Sequence, residues 1–183
     1  MIYDLAAAPA NRSNIWWSSY RAKTPGDAFV PQPMVMVDSG NQVFAGTADY
    51  ETFYKDMINA SAMRDPQAVI HAAYEQKGQS IQFTVEVQNL IGQTLSSSTN
   101  SAAVHAFVYE AKPSGILASN ILAAVSTPLQ LLEPNQTATV TLQTSNLSGV
   151  NFTNLEYLVL VDYIPPGSKG AHDMLQAAKA IKK

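Results

Sequence analysis

Two hydrophobic rhythms run along this chain, and they change over near residue 65. Before it, apolar side chains recur at helical spacing around one short apolar run. Ile15, Trp16 and Tyr20 predict a short helix over 11–23, capped by Asn11 or Ser13. Thr24-Pro25-Gly26-Asp27 is turn chemistry, and Met34–Val37 reads as a strand. Asp38-Ser39-Gly40-Asn41 suits a hairpin turn in which Gly40 takes positive φ, so Val43–Ala45 is the returning strand. Thr47 is placed to cap a second helix, with Tyr50, Phe53, Tyr54, Met57 and Ile58 as its apolar stripe, ending near 60–63. The first part is therefore helix, hairpin, helix.

Pro66 disfavours helix in the residue before it and marks the boundary. Beyond it the period becomes two. Val69–Tyr74 and Gln79–Gln88 are strands; in the second, Ile81, Phe83, Val85 and Val87 alternate with Gln82, Thr84, Glu86 and Gln88. Ala103–Glu110 puts Val104, Ala106 and Val108 on one face and His105, Phe107 and Tyr109 on the other. Pro128–Glu133 reads as a short edge strand, Gln136–Thr144 as an alternating Thr-rich one, and Leu155–Ile164 as a central one. His172–Ile181 has helix-favouring Ala and Lys. The layout instead asks for a strand over Met174–Ala178 pairing with Leu155–Ile164. Alternating strands between turn clusters predict a sandwich or a barrel, and the layout favours the sandwich. The fold class is mainly β: an antiparallel β-sandwich over 65–183, preceded by a small α/β helix-hairpin-helix fragment over 1–64.

Composition narrows the functional classes. Charged residues are 14% of the 183, and the net charge of −3 leaves no basic cluster of the kind that replaces phosphate counterions, so nucleic acid is not the expected partner. The chain has no cysteine, which excludes thiol nucleophiles, disulfides and thiolate metal sites. No stretch approaches the apolar length of a membrane-spanning helix, and residues 1–10 lack the basic start of a signal peptide. Gly-rich phosphate loops and a Gly-X-Ser-X-Gly nucleophile elbow are missing from the sequence. His71, His105 and His172 show no metal-ligand spacing; His71 and His105 are candidates for cross-strand neighbours, and composition alone does not exclude a Ser-His-Asp triad. The expectation is a non-catalytic chain with no cofactor and no metal.

The first part resembles the C-terminal half of a thioredoxin fold. The resemblance is carried by a helix, Val30-Pro31, the strand Met34–Val37, the turn at Gly40, the strand Val43–Ala45, Gly46 and the closing helix Tyr50–Ile58. It implies a cis-proline loop at Pro31, with Pro33 the alternative. The half that carries the Cys-X-X-Cys motif in that family has no counterpart here. The second part resembles the Ig-like domain that follows a thioredoxin-like domain in bacterial exported and outer-membrane lipoproteins. The matching segments are Val85-Glu86-Val87-Gln88-Asn89, Leu132-Glu133-Pro134-Asn135-Gln136, Leu158-Val159-Leu160-Val161-Asp162 and Leu175-Gln176-Ala177-Ala178. The resemblance implies an extracytoplasmic binding or assembly protein.

The candidate binding residues are Trp16, Trp17, Tyr20 and Pro31. The aromatic three present a platform for a sugar or peptide, or else cover the sheet of the first part and meet a neighbour. Pro31 binds extended peptide in the resembling family, or simply stiffens a loop feeding a strand. A hairpin with two helices is marginal alone, and its open Met34–Val37 edge invites another chain. The natural chain being longer is the first expectation, a homodimer through that edge the next, and packing on the sandwich the third route. Two rivals stand beside the binding reading: the substrate-facing part of a longer thiol-disulfide oxidoreductase, and a carbohydrate-binding module using Trp16, Trp17 and Tyr20.

Overall fold

The computed structural model describes residues 10–24, 26, 34–46, 49–110 and 120–183. Its first part is the expected helix, hairpin and helix: α1 (Ala10–Lys23), β1 (Met34–Val37), β2 (Gln42–Ala45) and α2 (Tyr50–Ala62). β1 and β2 pair antiparallel, Met34 opposite Ala45. The cap assignments need correction. α1 already runs through Asn11 and Ser13, and α2 begins after Asp49, which has φ 49° and makes no side-chain cap bond. Thr47 and Pro31 lie outside the described residues.

From β3 onward the chain is a sandwich. β3 (Ala68–Lys77), β4 (Ser80–Asn89), β7 (Thr137–Gln143) and β10 (Ile181–Lys182) form one sheet in the order β10-β3-β4-β7. β5 (Ala103–Glu110), β6 (Asn120–Pro128), β8 (Leu155–Tyr163) and β9 (Asp173–Lys179) form the other, in the order β6-β5-β8-β9. Alternation decides which side chains go in. Ile81, Phe83, Val85 and Val87 of β4 meet Val104, Ala106 and Val108 of β5 and Val159 and Val161 of β8 in one core, while the intervening Gln, Thr and Glu face water. The last long segment is a strand, β9, pairing with β8 as the layout asked. β10 then crosses to the first sheet and pairs parallel with β3, Ile181 opposite Ala73.

Pro128–Glu133 is not an edge strand. Pro128 ends β6, and beyond it only Leu132 forms a bridge, to Leu95. Leu129 and Leu132 are both buried, whereas Gln130 and Leu131 between them are exposed. A three-residue spacing of buried positions does not fit a period of two. The loop is pinned instead by buried Asn89, whose side-chain amide donates to the Leu132 and Gln93 carbonyls.

The first part rests on the sandwich through the β1–β2 turn. Asp38, Ser39 and Gly40 form a buried 3-10 turn in which all three have positive φ, at 53°, 59° and 116°. The Ser19 hydroxyl of α1 donates to the Ser39 carbonyl at 3.3 Å and accepts from the His172 amide at 3.0 Å. A Cβ at Gly40 would overlap the Ser19 side chain, so glycine serves both the φ and the close approach.

Candidate functional site

Three places bring functional side chains together. The first is the open face of the N-terminal part. Of the apolar stripe of α2 only Met57 is buried; Tyr50, Phe53 and Ile58 are exposed, and Tyr54 is half-buried. Phe53 stacks on Phe44 of β2 with centroids 4.5 Å apart, Tyr54 meets Phe44 edge-on at 5.7 Å, and Tyr50 touches Tyr54. The Tyr54 hydroxyl is buried without a hydrogen bond. Among the described residues the two-stranded sheet has no third strand, and all its positions are half-buried.

The predicted aromatic platform is only partly assembled. Tyr20 is buried, as a covering residue would be, while Trp17 is 46% exposed, stacked on Tyr20 at 6.2 Å with Arg21 over its ring. The Trp16 side chain and Pro31 lie outside the described residues.

The second place is the junction. Arg64 Nη1 lies 2.7 Å from Asp38 Oδ2 and 2.8 Å from Asp173 Oδ1, and Nη2 donates to Asp173 Oδ2 at 2.9 Å. Ser61 donates to the other Asp38 oxygen. Burial works against the Arg64 charge, but Asp173 and Asp38 outweigh it and raise its pKa. Burial pushes Asp173 up, against the opposing pull of Arg64 and Asn41. Its Oδ1 is close to the guanidinium but poorly aligned for a hydrogen bond, which fits an incompletely compensated carboxylate.

The third place is the outer face of the β5–β8 sheet, which is buried as well. His105 Nε2 is 2.9 Å from Asp162 Oδ1, and His105 Nδ1 is 2.8 Å from Ser126 Oγ. His172 Nδ1 stands 3.7 Å from the same Asp162 oxygen and has no hydrogen bond. Register explains the contact with Ser126. The Leu129 amide bonds the Ala102 carbonyl, so 102/129 is a hydrogen-bonded pair. The unbroken register then alternates to make His105/Ser126 a non-hydrogen-bonded pair, the kind whose side chains stand closer. The same alternation turns Pro128, opposite Ala103, away from β5, where its missing N–H breaks no ladder bond. His71 is not a neighbour of His105: it is exposed on the other sheet, opposite Glu86. Among the described residues no three His, Asp or Glu side chains are placed to hold a metal ion.

No protein-family model matches this chain, and no curated protein does. Its structure is similar to a domain of the outer membrane lipoprotein Omp28 from Porphyromonas gingivalis, at TM-score 0.41 and 19% identity over 66% of this chain and 91% of that one. It is similar to the sporulation control protein Spo0M from Bacillus subtilis at TM-score 0.38 and 13% identity, over 64% of this chain and 49% of that one. OgpA from Akkermansia muciniphila follows at TM-score 0.36 and 14% identity, over 64% and 29%. All three scores lie below 0.5, and neither family nor function follows from them.

The Ser126–His105–Asp162 group was not legible as a unit. His105 and Asp162 each sit on a strand the alternation finds, but Ser126 lies on β6, for which the sequence offers weak alternation. The available signal was polarity out of place: His105 and Asp162 interrupt the most apolar strands of the chain.

Proposed function

We propose that this chain is an extracytoplasmic binding and assembly protein of the cell envelope, with the N-terminal part as contact surface and the sandwich as its base. The observation that carries the reading is the exposed aromatic face of α2 over a hairpin left two-stranded among the described residues. Aromatic side chains such as Tyr50 and Phe53 bring large area at low entropic cost to an interface. A buried Tyr54 hydroxyl without a partner is costly, and it leaves this face incompletely satisfied. The contact itself requires no chemistry from the chain, no cofactor and no nucleic acid; a protein or peptide, or a second copy, is the partner.

The strand order supports the immunoglobulin-like reading of the base. β3-β4-β7 facing β6-β5-β8-β9 corresponds to strands A-B-E facing C′-C-F-G, with β10 carrying the last strand over to the first. The order helix, hairpin, helix likewise supports the resemblance to a thioredoxin half. A charged fraction of 14% is in keeping with an exported β-rich domain.

The test is fractionation of cells producing the tagged full chain, with cross-linking of the wild type and of Tyr50→Ser/Phe53→Ser. The reading expects the chain outside the cytoplasm and a stoichiometric cross-linked protein that the double variant loses at near-unchanged folding. A cytoplasmic chain, or an unchanged cross-linking pattern, overturns it.

A further inference from the structure

The outer face of the β5–β8 sheet holds a hydrogen-bonded chain that the binding reading does not use. Asp162 is fully buried and His105 nearly so, while Ser126 is exposed on β6, an edge strand of its sheet among the described residues. The acid is thus deepest, the imidazole lies between, and the hydroxyl reaches the surface. An ionised carboxylate only accepts hydrogen bonds, so in this pair His105 Nε2–H donates to Asp162 Oδ1. In the neutral ring Nδ1 is then the lone-pair nitrogen, 2.8 Å from Ser126 Oγ and placed to accept its proton. Backbone pairing sets this geometry: His105 and Ser126 are cross-strand partners, and Asp162 lies opposite Ala103, one diagonal step away on the same face.

We propose that Ser126 is an activated nucleophile that takes an acyl group from carboxylic esters, with His105 as its base and Asp162 as the group that positions the imidazole. This goes beyond the binding reading and does not depend on it, since it uses neither α2 nor the hairpin. In the first step Ser126 Oγ bonds to the ester carbonyl carbon as its proton passes to His105 Nδ1. The tetrahedral adduct collapses with cleavage of the carbon–alkoxy bond, and the alcohol departs with the proton from His105. Water, deprotonated by the same nitrogen, then cleaves the acyl-Ser126 ester, releasing the acid and restoring the serine. His105 and Ser126 touch the reacting atoms; Asp162 acts through His105 by holding one tautomer, as the acid of a serine triad does.

The experiment treats the full chain with a fluorophosphonate and, separately, with p-nitrophenyl acetate, and maps the modified residue by peptide mass spectrometry. Modification concentrated at Ser126 is expected, together with turnover of p-nitrophenyl acetate. Ser126→Ala removes the nucleophile, so it should abolish the label and lower the hydrolysis rate by about 100-fold or more. Ser126 is exposed, so that variant is expected to keep the wild-type melting temperature. His105→Gln should slow acylation by about 100-fold or more, the scale of general-base assistance; if it fails to fold, Ser126→Ala and the site of labelling still decide. Label spread over several exposed serines, or equal hydrolysis by wild type and Ser126→Ala, overturns the proposal.

Discussion

Single residues at the junction combine positive φ with buried charge. Gly40 sits at φ 116° against Ser19, so Gly40→Ala meets both an unfavourable backbone region and an overlap. The backbone alone accounts for about 1–3 kcal/mol. The expected result is a melting temperature below that of the wild type. Asp173 gives a prediction with a sign. Burial raises its pKa in the folded chain above the unfolded value, so its neutral form is the one that folding favours. Its stabilising contribution is full below the unfolded carboxylate pKa and is lost as pH rises through the raised folded value. Asp173→Asn lacks that titration. The stability of the variant relative to wild type should therefore rise with pH across the acid range and level off above it, as read from denaturant midpoints. A difference that is flat or falls with pH would sink the assignment.

Elements differ in how firmly their apolar faces are engaged, and mutation should expose this. Phe83 is fully buried between the sheets, so Phe83→Ala should cost about 3–5 kcal/mol. Phe53 on α2 is 47% exposed and its main contact is the stack on Phe44. Phe53→Ser should cost only about 0.5–1.5 kcal/mol, the range of one aromatic pair; equal losses by chemical denaturation would contradict an open α2 face. The same contrast explains what the sequence made legible. β4, β5 and β8 are read directly because alternation and burial coincide there, and β9 follows because β8 needs a neighbour despite its helix-favouring Ala and Lys. β6 was missed because Ile121, Leu122, Ala123, Ala124 and Val125 form an apolar run without period two. β10 was missed because two residues are too few to show any period. The α2 stripe was read as helix, but that it faces outward was not legible: periodicity reports which residues share a face, not what lies opposite that face. The same limit applies to the sites. Tyr20 could be read as a covering residue, but the meeting of Ser126, His105 and Asp162 depends on which residues of distant strands stand opposite one another, which no local pattern encodes.

At the scale of the whole molecule, the question is what holds an N-terminal part with little core of its own against a sandwich with a complete one. The structure answers with a charge cluster at one end of α2. Arg64, 23% exposed, is shared by Asp38 of the β1–β2 turn and Asp173 at the start of β9. Three charges leave a net negative pair if the guanidinium is lost, and both carboxylates would then face each other with little water. Breaking a buried pair by removing one partner costs about 3–5 kcal/mol, and the residual exposure of Arg64 places it at the low end of that range. The loss should be local. The sandwich keeps its core without Arg64, whereas α1, the 38–40 turn and α2 lose their anchor, because the remaining polar ties across the junction include the His172 amide on Ser19 and Asn41 on Asp173 but, among the described residues, no other cation between the two carboxylates. Arg64→Ala should therefore speed amide hydrogen exchange across 10–62 while leaving β4, β5 and β8 at wild-type protection. Adding Asp38→Asn should return part of the protection, since it removes the repulsion that the first substitution creates. Uniform acceleration through the core strands would mean instead that the two parts unfold as one cooperative unit, with the N-terminal part contributing to the stability of the sandwich as a whole.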